Sequence, residues 1–179
     1  MNLPNKITLF RVAMIPIFLI FMLIPSIPSG KYIAVAIFII AALTDLLDGY
    51  IARKNNLVTN FGKFMDPLAD KLLVSSALIC FVELGQMAAW IVIIIISREF
   101  IISGFRLVAS DNGVVIAASW WAKVKTTVQM IMSILLIVNF DNPLINIVEQ
   151  IFIYLAVILT IISLLEYLIK NKNVLKETH

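Results

Sequence analysis

Between Asp45 and Asp70 the chain gathers four aspartates, Asp45, Asp48, Asp66 and Asp70, with Arg53, Gly49 and Gly62 among them. Asp45, Asp48, Gly49 and Ala52 fall at i, i+3, i+4 and i+7, which places them within roughly a 100° arc of one helix. Gly62, Asp66 and Asp70 repeat that logic at intervals of four on a second helix. If residues Lys54 to Phe61 form the connection, the two helices return antiparallel and the four carboxylates converge.

Convergent acids need a counter-charge. All-aspartate, all-oxygen ligation suits hard divalent ions such as Mg²⁺ or Mn²⁺, whereas zinc favours His or Cys. The sequence has one of each, Cys80 and His179, both away from the stretch. Two divalent ions against four carboxylates leave a nearly neutral site with open coordination positions, which phosphate oxygens fill. Paired ions about 3.5–4 Å apart suit phosphoryl transfer, because they clamp the transferring group and stabilise the leaving oxygen. Gly49 and Gly62 let a bulky ligand approach the backbone, and Arg53 adds a planar positive fork for a phosphate. An aspartate pair at a helix end is also compatible with plain solvation or a loop lysine, and small residues also serve helix packing. Those readings cover Asp45 and Asp48 alone; they do not cover the whole set.

The elements that must position these residues are apolar. The chain has 179 residues, of which 61% are hydrophobic and 14% charged, and its mean hydropathy is +1.02; soluble domains are roughly half apolar. A spanning helix needs about 20 mostly apolar residues, and stretches at roughly 9–24, 31–52, 64–84, 87–108, 119–140 and 144–169 qualify. The expected fold is therefore all-α: one polytopic membrane domain over residues 1–179, with six transmembrane helices behind a short N-terminal interfacial segment. The first apolar run leads into Pro25-Ser26-Ile27-Pro28 with no small-residue cleavage site, so it is expected to stay as a helix. In the bilayer four uncompensated aspartates would cost on the order of 10 kcal/mol, at about 2.5–3.5 kcal/mol each, a further reason to expect bound cations.

Basic residues set the orientation. Lys6, Arg11, Arg53, Lys54, Lys63, Arg106, Lys123, Lys125, Lys170, Lys172 and Lys176 flank one side, and only Lys31 the other, near Glu83, Asp141 and Glu149. Both termini and the acidic stretch are thus expected on the cytoplasmic side of a cell membrane. The net charge of +3 reads as a topology signal and an attraction to lipid headgroups, which argues against nucleic acid as a partner. Cys80 reads as a buried small hydrophobe, Trp120 and Trp121 as interfacial anchors.

The stretch matches D-x-x-D-G-x-x-A-R-x₈-G-x-x-x-D-x-x-x-D through Asp45, Asp48, Gly49, Ala52, Arg53, Gly62, Asp66 and Asp70, and so resembles the CDP-alcohol phosphotransferase family. The six-helix layout is similar to that family as well. The resemblance implies that Asp45, Asp48 and Asp66 hold two divalent ions, with Asp70 beside them as a further ligand and as general base. It implies that Asp48, Gly49, Ala52, Arg53, Gly62 and Asp66 line a site for CDP-diacylglycerol. The acceptor hydroxyl, deprotonated by Asp70, would attack the β-phosphorus and release CMP with no covalent enzyme intermediate. A homodimer among membrane lipids is also implied.

The acceptor must be read from other charges. Arg98 lies inside an apolar segment, where an ionisable residue is a functional candidate by default; Arg106 lies two turns on, and Lys123 and Lys125 open the next helix. A basic pocket suits a phosphorylated acceptor, and "SREFIISGFR" and "KVKTTVQM" resemble family members that use glycerol 3-phosphate. Inositol phosphate, serine or phosphatidylglycerol are the alternative acceptors. Arg98 could instead simply pair with Glu99 or an aspartate, and the other three could be topology charges. Lys123 and Lys125 cannot both face one way, and Lys125 is slightly favoured. In "LPNKITLFR", Asn5, Thr8 and Arg11 recur every three residues: they either cover the nucleotide or diphosphate, or cap the helix and snorkel to headgroups. A divalent-cation transporter is the rival class, but it expects acids spread along a conduit and commonly an internal repeat, and neither pattern is seen.

Overall fold

The computed structural model describes residues 2–54, 60–111, 116–117 and 119–171, with the side chains of 3, 4, 45–54, 60–64, 66, 67 and 111 outside that description. Among the described residues the chain is all-helical: α1 (Leu3–Leu23), α2 (Gly30–Lys54), α3 (Asn60–Glu83), α4 (Ala89–Asp111), α5 (Trp120–Val138) and α6 (Pro143–Lys170). It forms two compact units, Met1–Gln86 with Leu136–Asn139, and Met87–Leu135 with Phe140–His179.

In the first unit α1 packs against both α2 and α3. Small residues permit the approach: Ala34 and Ala41 on α2, and Ala69 and Ala77 on α3, are buried, as expected where helices gain little from hydrophobic driving force and associate by close contact. Phe18 and Phe38 fill the centre, with ring centroids 6.1 Å apart. α1 starts on a cap, the Asn2 side chain accepting from the Asn5 amide at 3.2 Å. α3 ends in a Schellman turn: Gly85 adopts φ +70, its amide donates to the Val82 carbonyl, and the Gln86 amide donates to the Phe81 carbonyl. Glycine stands there because an L side chain resists that backbone conformation. The end of α5 is tied to this unit by Gln86 Nε2, which donates to the Leu136 carbonyl at 3.1 Å, and by Lys31 Nζ, which donates to the Asn139 carbonyl at 3.3 Å.

In the second unit α4 packs on α6. Ile102, Phe105 and Tyr167 form a buried cluster joined by Ile116, Leu164 and Leu168, with Phe105 edge-on to Tyr167 at 5.5 Å between centroids. α6 starts at Pro143, preorganised for the first helical position, and the Asn142 side chain accepts from the Leu144 amide.

Among the described residues three helices, Asn5–Leu23, Trp120–Val138 and Pro143–Lys170, are long and apolar enough to cross a membrane, and Gly30–Thr44 is a shorter apolar helix. α4 carries Arg98, Glu99 and Arg106 within its apolar run, and α2 and α3 run into the acidic stretch, which is why they lack so clean a signature. The residues expected ahead of the first span are instead the opening turns of α1, so a separate interfacial segment is absent among the described residues. Cys80 is buried, and Trp120 and Trp121 are exposed and stacked edge to face at 5.3 Å.

Gly30 opens α2 where α1 has just ended, and a Cβ there would lie 2.8 Å from the Phe21 carbonyl oxygen, a main-chain atom that cannot swing aside. Gly30→Ala is therefore expected to lower stability by about 1–3 kcal/mol, read as a fall in thermal midpoint in detergent; an unchanged midpoint would show that the turn between α1 and α2 yields freely.

Candidate active site

The acidic motif is carried on two continuous helices. Asp45, Asp48, Gly49, Ala52 and Arg53 lie on the last turns of α2, and Gly62, Asp66 and Asp70 on the first turns of α3. Of these only Asp70 has a described side chain, and it is exposed; the side chains of Asp45, Asp48, Ala52, Arg53 and Asp66 lie outside the described residues, as do the surroundings of Gly49 and Gly62. Among the described residues no three His, Cys, Asp or Glu side chains could hold a metal ion. The donor set of the motif is nonetheless the right one for Mg²⁺ or Mn²⁺, since carboxylates at one-turn spacing on two successive helices supply hard oxygen ligands and no soft ones.

On α1, Asn5, Thr8 and Arg11 are all buried, Thr8 wholly and Arg11 to within 1%. Helical spacing of three puts them on one side, and that side is turned inward in the same unit that carries the acidic motif. Asn2, not Asn5, caps the helix, and the Arg11 guanidinium is packed inside rather than turned out toward headgroups.

The second unit holds the basic residues. Arg98 on α4 is 6% exposed and Lys125 on α5 only 1%, and both donate to one atom, Oε1 of Glu99: Arg98 Nη1 lies at 3.0 Å and Lys125 Nζ closes the pair. Arg98 Nε also donates to Ser163 Oγ on α6 at 3.2 Å, and Ser163 in turn donates to the Thr160 carbonyl at 3.0 Å. Two cations thus share one carboxylate oxygen in a mostly buried cluster. Such a group persists only because each cation has an anionic partner, since stripping the partner from a buried ion pair costs about 3–5 kcal/mol. Gln129 and Ser133, one and two turns beyond Lys125, are buried on the same α5 face, so the polar character of that face continues into the helix.

Arg106 and Lys123 are placed differently. Arg106 is exposed and stands over the Tyr167 ring, 5.9 Å from its centroid, a cation–π contact well along α4 from Arg98. Lys123 is exposed, as the two-residue offset from the buried Lys125 requires. The pairing of Arg98 with Glu99, one of the readings the sequence allowed, is present. Ser163 was not foreseen, because a serine in α6 gives no signal of which helix packs against it.

The fold and these sites describe a helical membrane protein with a carboxylate motif in one unit and buried cations in the other. The model of the CDP-alcohol phosphatidyltransferase family matches residues 1–162, and the chain belongs to that family. Relatives named CDP-diacylglycerol–glycerol-3-phosphate 3-phosphatidyltransferase include one from Bacillus subtilis, 49% identical with 99% of both chains covered. Another, from Haemophilus influenzae, is 46% identical over 93% of this chain and 91% of its own. A third, from Rickettsia bellii, is 39% identical over 90% and 91% respectively.

The contrast between the two lysines is directly testable. Lys125→Met is expected to destabilise the protein by about 1–3 kcal/mol, because it removes one buried charged donor from Glu99, which keeps Arg98, whereas Lys123→Met stays within about 0.5 kcal/mol. Thermal unfolding of both variants in detergent checks it, and equal midpoints would contradict the burial of Lys125.

Proposed function

We propose that the chain transfers the phosphatidyl group of CDP-diacylglycerol to glycerol 3-phosphate, yielding phosphatidylglycerophosphate and CMP. Membership of the family and the activity for which relatives that match nearly end to end are named support the reaction. The single geometric observation that favours a phosphorylated acceptor is the buried pair Arg98 and Lys125 around one carboxylate. Two buried cations side by side suit a phosphate dianion better than serine, whose carboxylate is offset by its own ammonium. Both units act as one catalytic domain in this reading, since the family match runs through them without a break.

Asp45, Asp48 and Asp66 would hold two Mg²⁺ or Mn²⁺ ions, with Asp70 beside them. When bound, the ions neutralise the diphosphate and stabilise the leaving phosphate oxygen. Arg53 pairs with a phosphate of the nucleotide, and Gly49, Ala52 and Gly62 leave room for cytidine. Asn5, Thr8 and Arg11 contribute polar groups from the buried side of α1 toward the same nucleotide. Arg98 and Lys125 bind the acceptor's phosphate, while Arg106 and Lys123 attract the anion from the surface. Asp70 takes the proton of the acceptor hydroxyl; the oxygen bonds to the β-phosphorus, the phosphoanhydride bond breaks, and CMP leaves with the electron pair. The protein works in the cell membrane as a homodimer, with six helices crossing and both termini and the site on the cytoplasmic side.

Purified protein given CDP-diacylglycerol with glycerol 3-phosphate, inositol phosphate, serine or phosphatidylglycerol is expected to form phosphatidylglycerophosphate far faster than any other lipid, read by mass. Equal use of serine would overturn the acceptor assignment, and metal flux into vesicles without lipid turnover would favour a transporter. Asp70→Asn is expected to insert normally and to release CMP about 10²–10⁴ times more slowly, the usual worth of a general base. Thorough chelation should stop CMP release in the wild-type protein, and added Mg²⁺ or Mn²⁺ should restore it; turnover undiminished by chelation would remove the metals from the reaction.

A further inference from the structure

We infer that Glu99 is a positioning residue for the acceptor: its carboxylate gathers Arg98 and Lys125 at one point, so that a single phosphate meets both. This rests on the reading in which those two cations take glycerol 3-phosphate. Adjacent residues on a helix point about 100° apart and do not normally face each other, yet Arg98 Nη1 reaches Glu99 Oε1 at 3.0 Å. The guanidinium bends along α4 because it is held at two edges, by Glu99 at Nη1 and by Ser163 of α6 at Nε. Among the described residues its Nη2 has no protein acceptor, so that edge is available to a ligand. Lys125 arrives from a third helix at the same Glu99 oxygen. One carboxylate oxygen therefore sets the spacing of two donors from different helices.

The side chains of Arg98 and Lys125 are 7% and 2% exposed, and that of Glu99 is 24%, so the two cations are held largely out of water. Without the carboxylate they would lose the anion that they share. Lysine escapes by turning away or giving up its proton, and arginine can only move, because it stays charged. In either case the phosphate finds fewer donors in place. A buried contact between a charged donor and a charged acceptor is worth enough that its loss changes affinity by about ten- to a hundredfold. The chemical step, which depends on the acidic motif, is not touched.

Steady-state kinetics in mixed micelles of detergent and CDP-diacylglycerol test this. Glu99→Gln is expected to raise KM for glycerol 3-phosphate at least about tenfold while kcat stays within about threefold and KM for CDP-diacylglycerol does not change. Glu99→Asp, which keeps the charge but withdraws it by one methylene, should recover most of the loss. In a Lys125→Ala background the further effect of Glu99→Gln should shrink to about threefold or less, because the two changes remove one shared interaction. A KM within twofold of wild type, a KM below wild type, or a joint fall of kcat and of CDP-diacylglycerol affinity would each overturn the role. If Glu99→Gln fails to accumulate, the same split is read from Glu99→Asp, where an unchanged KM is again fatal. If the wild-type protein makes no lipid from glycerol 3-phosphate, the functional reading itself has failed; if it does and the variants match it, only the role of Glu99 has.

Discussion

The constraint on which this structure turns is that a charge placed among apolar helices must have a partner there. The chain has few charged residues for its length, and among those it buries Arg98 and Lys125 are grouped. Arg98, Glu99 and Lys125 share a single oxygen, while the four aspartates of the motif sit on consecutive helices. The two groups have opposite signs. In the proposed reaction a phosphate joins the basic group and divalent cations join the acidic one, and because unbalanced buried charge is expensive in stability, substrate and metal would offset part of that cost when bound.

Much of the fold was legible in the sequence because hydropathy is a strong signal over twenty residues. All six helices lie where apolar stretches predict them, to within a turn or two at their ends. What hydropathy could not supply was the character of the ends. The polar residues Asn5, Thr8 and Arg11 suggested a segment outside the first span, but α1 runs through them from Leu3, since a buried polar face costs a helix nothing when neighbouring helices receive it. Arg11 shows the point: its type suggests a headgroup anchor and its position makes it an interior residue.

The site was legible to different depths. Fixed gaps in the acidic motif announce a shared helical face and a ligand chemistry, because helical geometry converts spacing directly into direction. The basic cluster gave only its members. That Lys125 rather than Lys123 is buried, that Arg106 rests on Tyr167 and that Ser163 holds Arg98 all depend on packing between helices distant in sequence, and no local pattern encodes it. Glu149 makes the same case: it lies in the second turn of α6, near the loop where its charge was read, but its side chain is buried.

The contact between Arg98 and Ser163 spans 65 positions of chain, and this has a consequence for biogenesis. α4 leaves the ribosome with its guanidinium and carboxylate already in an apolar run, while the α6 residue that will hold the guanidinium is still to be synthesised. At about 5–20 residues per second that wait lasts roughly 3–13 seconds. If α4 crosses the membrane as proposed, it is a poor candidate for release into lipid during that wait, and the order in which helices enter the bilayer need not follow the order in which they are made.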